Sequence, residues 1–160
     1  MSLRLGLGVA CLAALVDQLG KAGVMHLFAV QPRGVRIVRV TPFLNFAFTL
    51  NHGMSFGLFN TDSGLNAVAF ALVATVIVAA LLVWLARTRD PMLSFAIGLV
   101  VGGAIGNVID RLVRGAVVDF IDVHIGPWHW FVFNLADAAI TVGVGLMLID
   151  GLRGRREAPN

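Results

Sequence analysis

Five ionisable residues stand where an apolar chain has least room for them: Asp17, Lys21, Asp110, Arg111 and Asp137. Each interrupts a run long enough to cross a bilayer. Inserting such a group costs roughly 2.5–3.5 kcal/mol, so each needs a reason. A sixth, Asp119, is the one charge on the odd face of Val117, Ile121, Val123 and Ile125. Asp119 and Asp137 are the hardest to dismiss, because neither has Lys or Arg within four positions. Two carboxylates that meet cannot both ionise easily. They share a proton, so one can act as base while the other acts as acid. The other charges have local explanations. Asp17 with Lys21, and Asp110 with Arg114, are i,i+4 pairs, and Asp150 with Arg153 is an i,i+3 pair. Asp122, His26, His52, His124 and His129 read as solvated loop or interface residues. No His-x-x-x-His or Glu-x-x-His spacing suggests a metal, and no serine is arranged for a triad.

The elements that must position these groups follow from composition. Of 160 residues, 58% are apolar, and only 12 are basic and 9 acidic. A soluble domain has about 45–50% apolar residues and ~25% charged ones. The deviation excludes a disordered chain, a nucleic-acid-binding domain and an ordinary soluble enzyme. It predicts a small integral membrane protein. Four windows are long enough to span, at about 3–25, 64–86, 92–113 and 131–150. The first resembles a signal peptide but is read as a retained helix. Asp90 before Pro91 is a helix start, and Asp62 and Ser63 can cap the second span. Cys11 reads as buried and inert, not as a lipid-attachment site.

Loop 1, about 26–63, is patterned. Leu44, Phe46, Phe48 and Leu50 alternate with Asn45, Ala47, Thr49 and Asn51, the period of a half-buried strand. Val35–Val40 is also β-prone. In loop 3, about 114–130, Val117–Ile125 reads as a strand, and Trp128 and Trp130 suit an aromatic belt. A small sheet on one membrane face is expected. The direction of the chain then matters. Asp17 and Lys21 come late in the first span, Asp110 and Arg111 late in the third, and Asp137 early in the fourth. All five lie toward the face that carries Asp119 and Asn51. Gly103, Asn107 and Arg111 form one stripe, and Asn134 shares a face with Asp137. Gly102, Gly103 and Gly106 let another backbone approach. The expected product is a polar pocket between helices at one interface. Lys and Arg are split six against six between the two sides, so charge alone does not orient the chain.

These residues resemble a known family. Val117-Val118-Asp119-Phe120 and Phe133-Asn134-Leu135-Ala136-Asp137 are similar to the two aspartate motifs of the lipoprotein signal peptidases (signal peptidase II). The block from Gly102 to Arg111, Asn51-His52-Gly53-Met54-Ser55-Phe56 and Asp17-Gln18-Leu19-Gly20-Lys21 resemble three further family elements, all in family order. Gly20, Met54 and Ser55 depart from the usual residues. The resemblance implies one domain over 1–160, a four-helix bacterial inner-membrane aspartyl peptidase with an extracytoplasmic β-cradle. It implies Asp119 and Asp137 as the catalytic pair. Asn51, Gly103, Asn107, Arg111 and Asn134 would surround substrate or support the pair, and Asp17 and Lys21 would hold the site together. No metal, cofactor or nucleic acid is implied, and no oligomer. The substrates would be lipid-modified prolipoproteins, presented from membrane lipid and cleaved just before the diacylglyceryl-cysteine. Both termini would be cytoplasmic and the site periplasmic.

The competing reading is a small proton-coupled transporter or channel subunit, for which intramembrane aspartates are usual. The polar residues gather at one interface, and no inverted repeat relates the halves. A structural scaffold is a third reading, but it leaves Asp119 unexplained.

Overall fold

A computed structural model describes residues 2–32, 34–53 and 64–156, without the side chains of 64–66 and 153–156. The Met54-Ser55-Phe56 part of the motif, the Asp62 and Ser63 cap, and the Arg153 partner of Asp150 lie outside what is described. Four helices cross-pack beneath a four-stranded sheet. They are α1 (Ser2–Ala29), α2 (Gly64–Arg87), α3 (Pro91–Arg114) and α4 (Leu135–Arg156). All four are long and apolar enough to span a membrane. The strands are β1 (Ile37–Thr41), β2 (Leu44–Asn51), β3 (Val117–Ile125) and β4 (Trp128–His129). Their order is sequential, and each neighbouring pair is antiparallel.

The boundaries of α3 have local causes. Asp90 caps the helix by accepting from the Leu93 N–H at 2.8 Å, and Pro91 takes the first helical position. Gly115 ends it at φ 74°, where its N–H donates to the Arg111 carbonyl at 3.1 Å. The fourth span begins later than its hydropathy suggests, at Leu135 rather than Phe131. Phe131–Asn134 are held by β3 instead. Phe133 bridges Ile121 and exchanges backbone hydrogen bonds with it at 2.7 and 3.1 Å. Asn134 and Asp137 therefore do not share a helix face; Asn134 lies just outside the helix.

α3 is the hub, packing against α1, α2 and α4. Its neighbours approach at small residues. A Cβ on Gly98 would sit 2.5 Å from the Gly6 carbonyl oxygen. One on Gly102 would overlap the Ala10 carbonyl, and one on Gly103 the Ala136 carbonyl. Large apolar side chains such as Leu12, Leu72, Val76 and Leu148 point outward. This is membrane packing, in which close backbones replace a large interior core. Cys11 is exposed on α1, not buried as its small-residue setting suggests.

The sheet departs from strict alternation. Phe46 pairs with Ile121 and Thr49 with Asp119, so β2 spends one extra residue against β3. This bulge lies beside Asp119 and reverses the parity of β2. Asn45 stands opposite Asp122, whereas Asn51 reaches Asp119 on the other face. The period-2 pattern had put both asparagines on one face.

The close approach at Gly102 has a measurable consequence. Gly102→Val should destabilise the protein by about 2 kcal/mol through overpacking against α1. A thermal melt in detergent should show this as a lower midpoint, and an unchanged midpoint would contradict the contact.

Candidate active site

The site is built outward from Lys21. Its ammonium is fully buried, and its three donors have three partners. These are Asp17 at 2.7 Å, Asp110 at 2.8 Å and the Asn107 side-chain oxygen at 3.2 Å. Asp110 also accepts from Arg114 at 2.5 Å, from Gln18 at 3.1 Å and from the Val118 N–H at 3.1 Å. Both expected i,i+4 pairs therefore form. They are not separate, because Lys21 joins them into one network tying α1, α3 and β3 together. Asp17 uses its other oxygen to accept from the Ala136 N–H at 2.9 Å, at the open N-terminus of α4. Gly106 makes room: a Cβ there would lie 2.6 Å from an Asp17 carboxylate oxygen.

Asn134 caps α4. Its Oδ1 accepts from the Asp137 N–H at 2.9 Å, while its own N–H points back to Asp137 Oδ2 at 3.4 Å. This is a capping box with Asp in the third position. Asn134 Nδ2 donates to Asp119 Oδ1 at 2.6 Å and to Asn107 Oδ1 at 3.3 Å. Asn107 Nδ2 donates to Asp137 Oδ1 at 2.8 Å. The Asn107 amide thus has its oxygen turned to Lys21 and its nitrogen to Asp137. Asn51 Nδ2 completes the set, donating to Asp119 Oδ2 at 2.9 Å. The Asn51 oxygen accepts from the Gly53 N–H at 2.9 Å, which orients the amide. Gly53 has φ 89°, a conformation glycine adopts freely.

The two aspartates hardest to explain from sequence are thus joined by shared amides. Asp119 is buried, and Asp137 is half-buried. Burial pushes the Asp119 carboxyl up to about 6. The Asn51 hydrogen bond opposes that rise and the Asp137 charge adds to it, while Asn134 and Lys21 oppose it further. Arg111 stands over the Phe70 ring at 5.5 Å and donates to the Asn107 carbonyl at 3.3 Å. Among the described residues it makes no ion pair with either aspartate, so it acts on them through its field. Gly103 meets the first turn of α4 at Ala136. An apolar groove of about 390 Å³ runs beside Asp137, lined by Trp130, Phe131, Phe133, Ala138, Thr141 and Val142.

Sequence reasoning missed three participants. Gln18 bonds Asp110, Asp17 and the Gly106 carbonyl, and its only signal was a polar side chain between Asp17 and Lys21. Phe70 lies in a span without charges and had no signal at all. Asp122 is buried rather than solvated, bonded to Asn45 at 2.8 Å and to His129 at 2.9 Å. The strand period had aimed Asp122 away from the face of Asp119, and in a free strand that face would be wet. Here both faces of β3 are covered over Val117–Phe120.

Four helices long enough to span a membrane and a small sheet thus bring two carboxylates together through shared amides. The family model described as "Signal peptidase (SPase) II" matches residues 9–153. The chain is 46% identical over 122 residues to a lipoprotein signal peptidase of Methylorubrum extorquens, covering 76% of this chain and 71% of that protein. It is 42% identical over 153 residues to the one from Beijerinckia indica, covering 94% and 89%. A bacterial membrane enzyme solved by the in meso method at 2.3 Å resolution superposes with a TM-score of 0.79 at 28% identity, covering 97% of this chain and 92% of the other. A second such structure, at 1.9 Å, gives a TM-score of 0.77 at 30% identity, covering 92% of each. The chain belongs to the signal peptidase II family. It is a multi-pass bacterial membrane protease, and nothing favours the transporter alternative.

The Lys21 network makes a sharp expectation. Lys21→Met leaves Asp17 and Asp110 buried without their shared cation, which should cost about 3–5 kcal/mol. Thermal unfolding of the purified variant measures it, and a wild-type midpoint would remove the network from its structural role.

Proposed function

We propose that Asp119 and Asp137 are the catalytic pair of this peptidase, acting on lipid-modified prolipoproteins just before the diacylglyceryl-cysteine. The observation that carries this is the amide chain Asn51–Asp119–Asn134–Asn107–Asp137, which links a buried carboxylate on β3 to a half-buried one on α4. The elevated Asp119 value supports one proton shared by the pair, and that property belongs to the pair as a whole. The ionised member takes a proton from water, and the resulting hydroxide oxygen bonds to the scissile carbonyl carbon. The protonated member gives its proton to the developing oxyanion. As the tetrahedral intermediate collapses, the C–N bond breaks and the leaving nitrogen gains a proton from the carboxylic acid formed in the first step. The hydroxyl proton returns to the pair as the new carboxyl product forms, so the pair again holds one proton.

Asn107, Asn134 and Asn51 are assigned to hold the carboxylates, and Arg111 to supply positive potential beside them. Gly103 keeps α4 close enough for Asp137 to reach Asn107. Asp17 and Lys21 anchor the assembly. The groove beside Asp137 suits acyl chains, which remain in an apolar setting while the peptide bond reaches the pair. Residues 1–160 form one unit in this reading. Both termini are cytoplasmic and the sheet lies on the periplasmic face.

Asp119→Asn and Asp137→Asn should each abolish conversion of a lipidated precursor in a gel-shift assay while the protein remains folded. Normal cleavage by either variant would sink the pair assignment. The pH profile gives a second check. A pair that needs one proton loses activity as pH rises through its upper apparent value. The alkaline limb of kcat/KM should therefore lie near pH 6 for the free enzyme. A rate still climbing from pH 6 to 9 would contradict the shared proton.

A further inference from the structure

Behind the catalytic face, one buried carboxylate holds together the strands that carry the site. Asp122 is 3% exposed and faces away from Asp119. Its Oδ2 accepts from Asn45 Nδ2 on β2 at 2.8 Å. Both of its oxygens lie against His129 Nδ1 on β4, at 2.9 and 3.0 Å. The His129 ring stacks on His124 of β3, with centroids 4.9 Å apart. Arg36, ahead of β1, lines the same groove as Asp122 and His129. The charged and titratable groups facing Asp122 are therefore His129, His124 and Arg36. Burial works against its charge, but the Asn45 and His129 hydrogen bonds and the two imidazoles hold Asp122 below the usual carboxylate range.

Each bonded strand leads directly to part of the site. β2 runs from Asn45 through the bulge to Asn51, which bonds Asp119. After His129 the chain follows β3, from Trp130 N–H on Val123 O at 2.8 Å to Phe133 on Ile121. It then delivers Asn134 to Asp119 and opens α4 at Asp137. Between Asn45 and Asn51 the register of β2 depends on a single bulge. Between His129 and Asn134 the strand pairing is sparse, with Ile121–Phe133 as an isolated bridge. A side-chain tie at one end of each segment adds to the backbone pairing that sets its phase against β3.

We infer that Asp122, with Asn45 and His129, is a positioning residue for the catalytic pair, clasping β2 and β4 onto β3 so that Asn51 and Asn134 both meet Asp119. Its hydrogen bonds go to Asn45 and His129 and to neither Asp119 nor Asp137. The inference rests on the assignment of Asp119 and Asp137 made above. Its physical signature differs from simple loss of stability. The Asn51 and Asn134 amides favour the ionised form of Asp119. Loosening them removes that support, so the apparent value of the pair must rise and the alkaline limb must move to higher pH. Misplacing a reacting group by a fraction of an ångström also lowers kcat more than it alters binding.

The test compares wild type, Asp122→Ala, Asp122→Asn, His129→Asn and the core control Leu85→Ala in detergent with a diacylglyceryl-modified precursor. Asp122→Ala should lower kcat by about tenfold or more with KM changed by less than about twofold. Its alkaline limb should shift upward by roughly half a pH unit or more. Asp122→Asn, which keeps an acceptor oxygen of the same shape, should restore most of the rate. His129→Asn should displace the limb in the same direction as Asp122→Ala. Leu85→Ala should lower the melting temperature with the limb in place. If Asp122→Ala does not fold, His129→Asn carries the comparison through its limb and its kcat against KM. The inference is overturned if the limb stays at the wild-type position in every folded Asp122 and His129 variant, with rates tracking only the folded fraction. Failure of the underlying assignment looks different: the Asp119→Asn variant would then process the precursor.

Discussion

A single buried ammonium holds this structure together. Lys21 has no contact with water, and an isolated charge there would be prohibitive. It is tolerated because each of its three protons meets an oxygen, two of them on carboxylates. Those partners in turn reach other segments. Asp110 takes the backbone N–H of Val118 at the start of β3, and Asp17 takes the Ala136 N–H at the start of α4. The segment bearing Asp119 and the helix bearing Asp137 are therefore both tied to the same cation. The third partner, Asn107, is fixed in the orientation that presents its nitrogen to Asp137. One charge thus sets the relative positions of three helices, a sheet and an amide.

Short side chains can make such a network only if backbones are close. Gly106 leaves the space that the Asp17 carboxylate fills, and Gly103 lets α4 settle onto α3. In lipid, apolar burial between helices contributes little, since the acyl chains are as apolar as leucine. Close packing and hydrogen bonds must hold the helices, and polar groups at the sheet end of the bundle supply the latter. Much the same economy appears in Asn134. One side chain caps α4, bonds Asp119 and touches Asn107. The start of α4 and the bond to Asp119 coincide at Asn134, and residues 131–134 lie outside the helix even though their hydropathy permits it.

The sheet supplies what helices alone could not. A rigid bundle presents side chains outward from fixed axes, whereas β3 crosses the end of α3 and carries its aspartate over the start of α4. The bulge in β2 then allows two asparagines of the same parity to serve opposite faces. Asn51 bonds Asp119 on one face and Asn45 bonds Asp122 on the other. The front amides tune a carboxyl that burial has raised, and the back amide bonds a carboxylate that stays charged.

The sequence by itself determined the class, the four spans and the side of the bundle on which the polar groups gather. The physical reason is the scarcity of charge: in an apolar chain each exception carries information, and chain direction alone sorts the exceptions to one end. It also singled out Asp119 and Asp137, because neither has a basic residue within four positions, and the cap at Asp90, because capping is a short-range interaction. The motifs around them resembled a family, and the comparisons bear that family out. What only the tertiary structure decided are the long-range partners. The local pairs Asp17–Lys21 and Asp110–Arg114 were legible, but their fusion through Lys21 was not, since it joins residues far apart in the chain. Asn45 with Asp122 depends on a bulge that leaves no periodic trace. Asn134 looked like part of a helix because spacing cannot distinguish a cap from a face. The start of α4 was settled by β3, whose hydrogen bonds claimed Phe133 before the helix could.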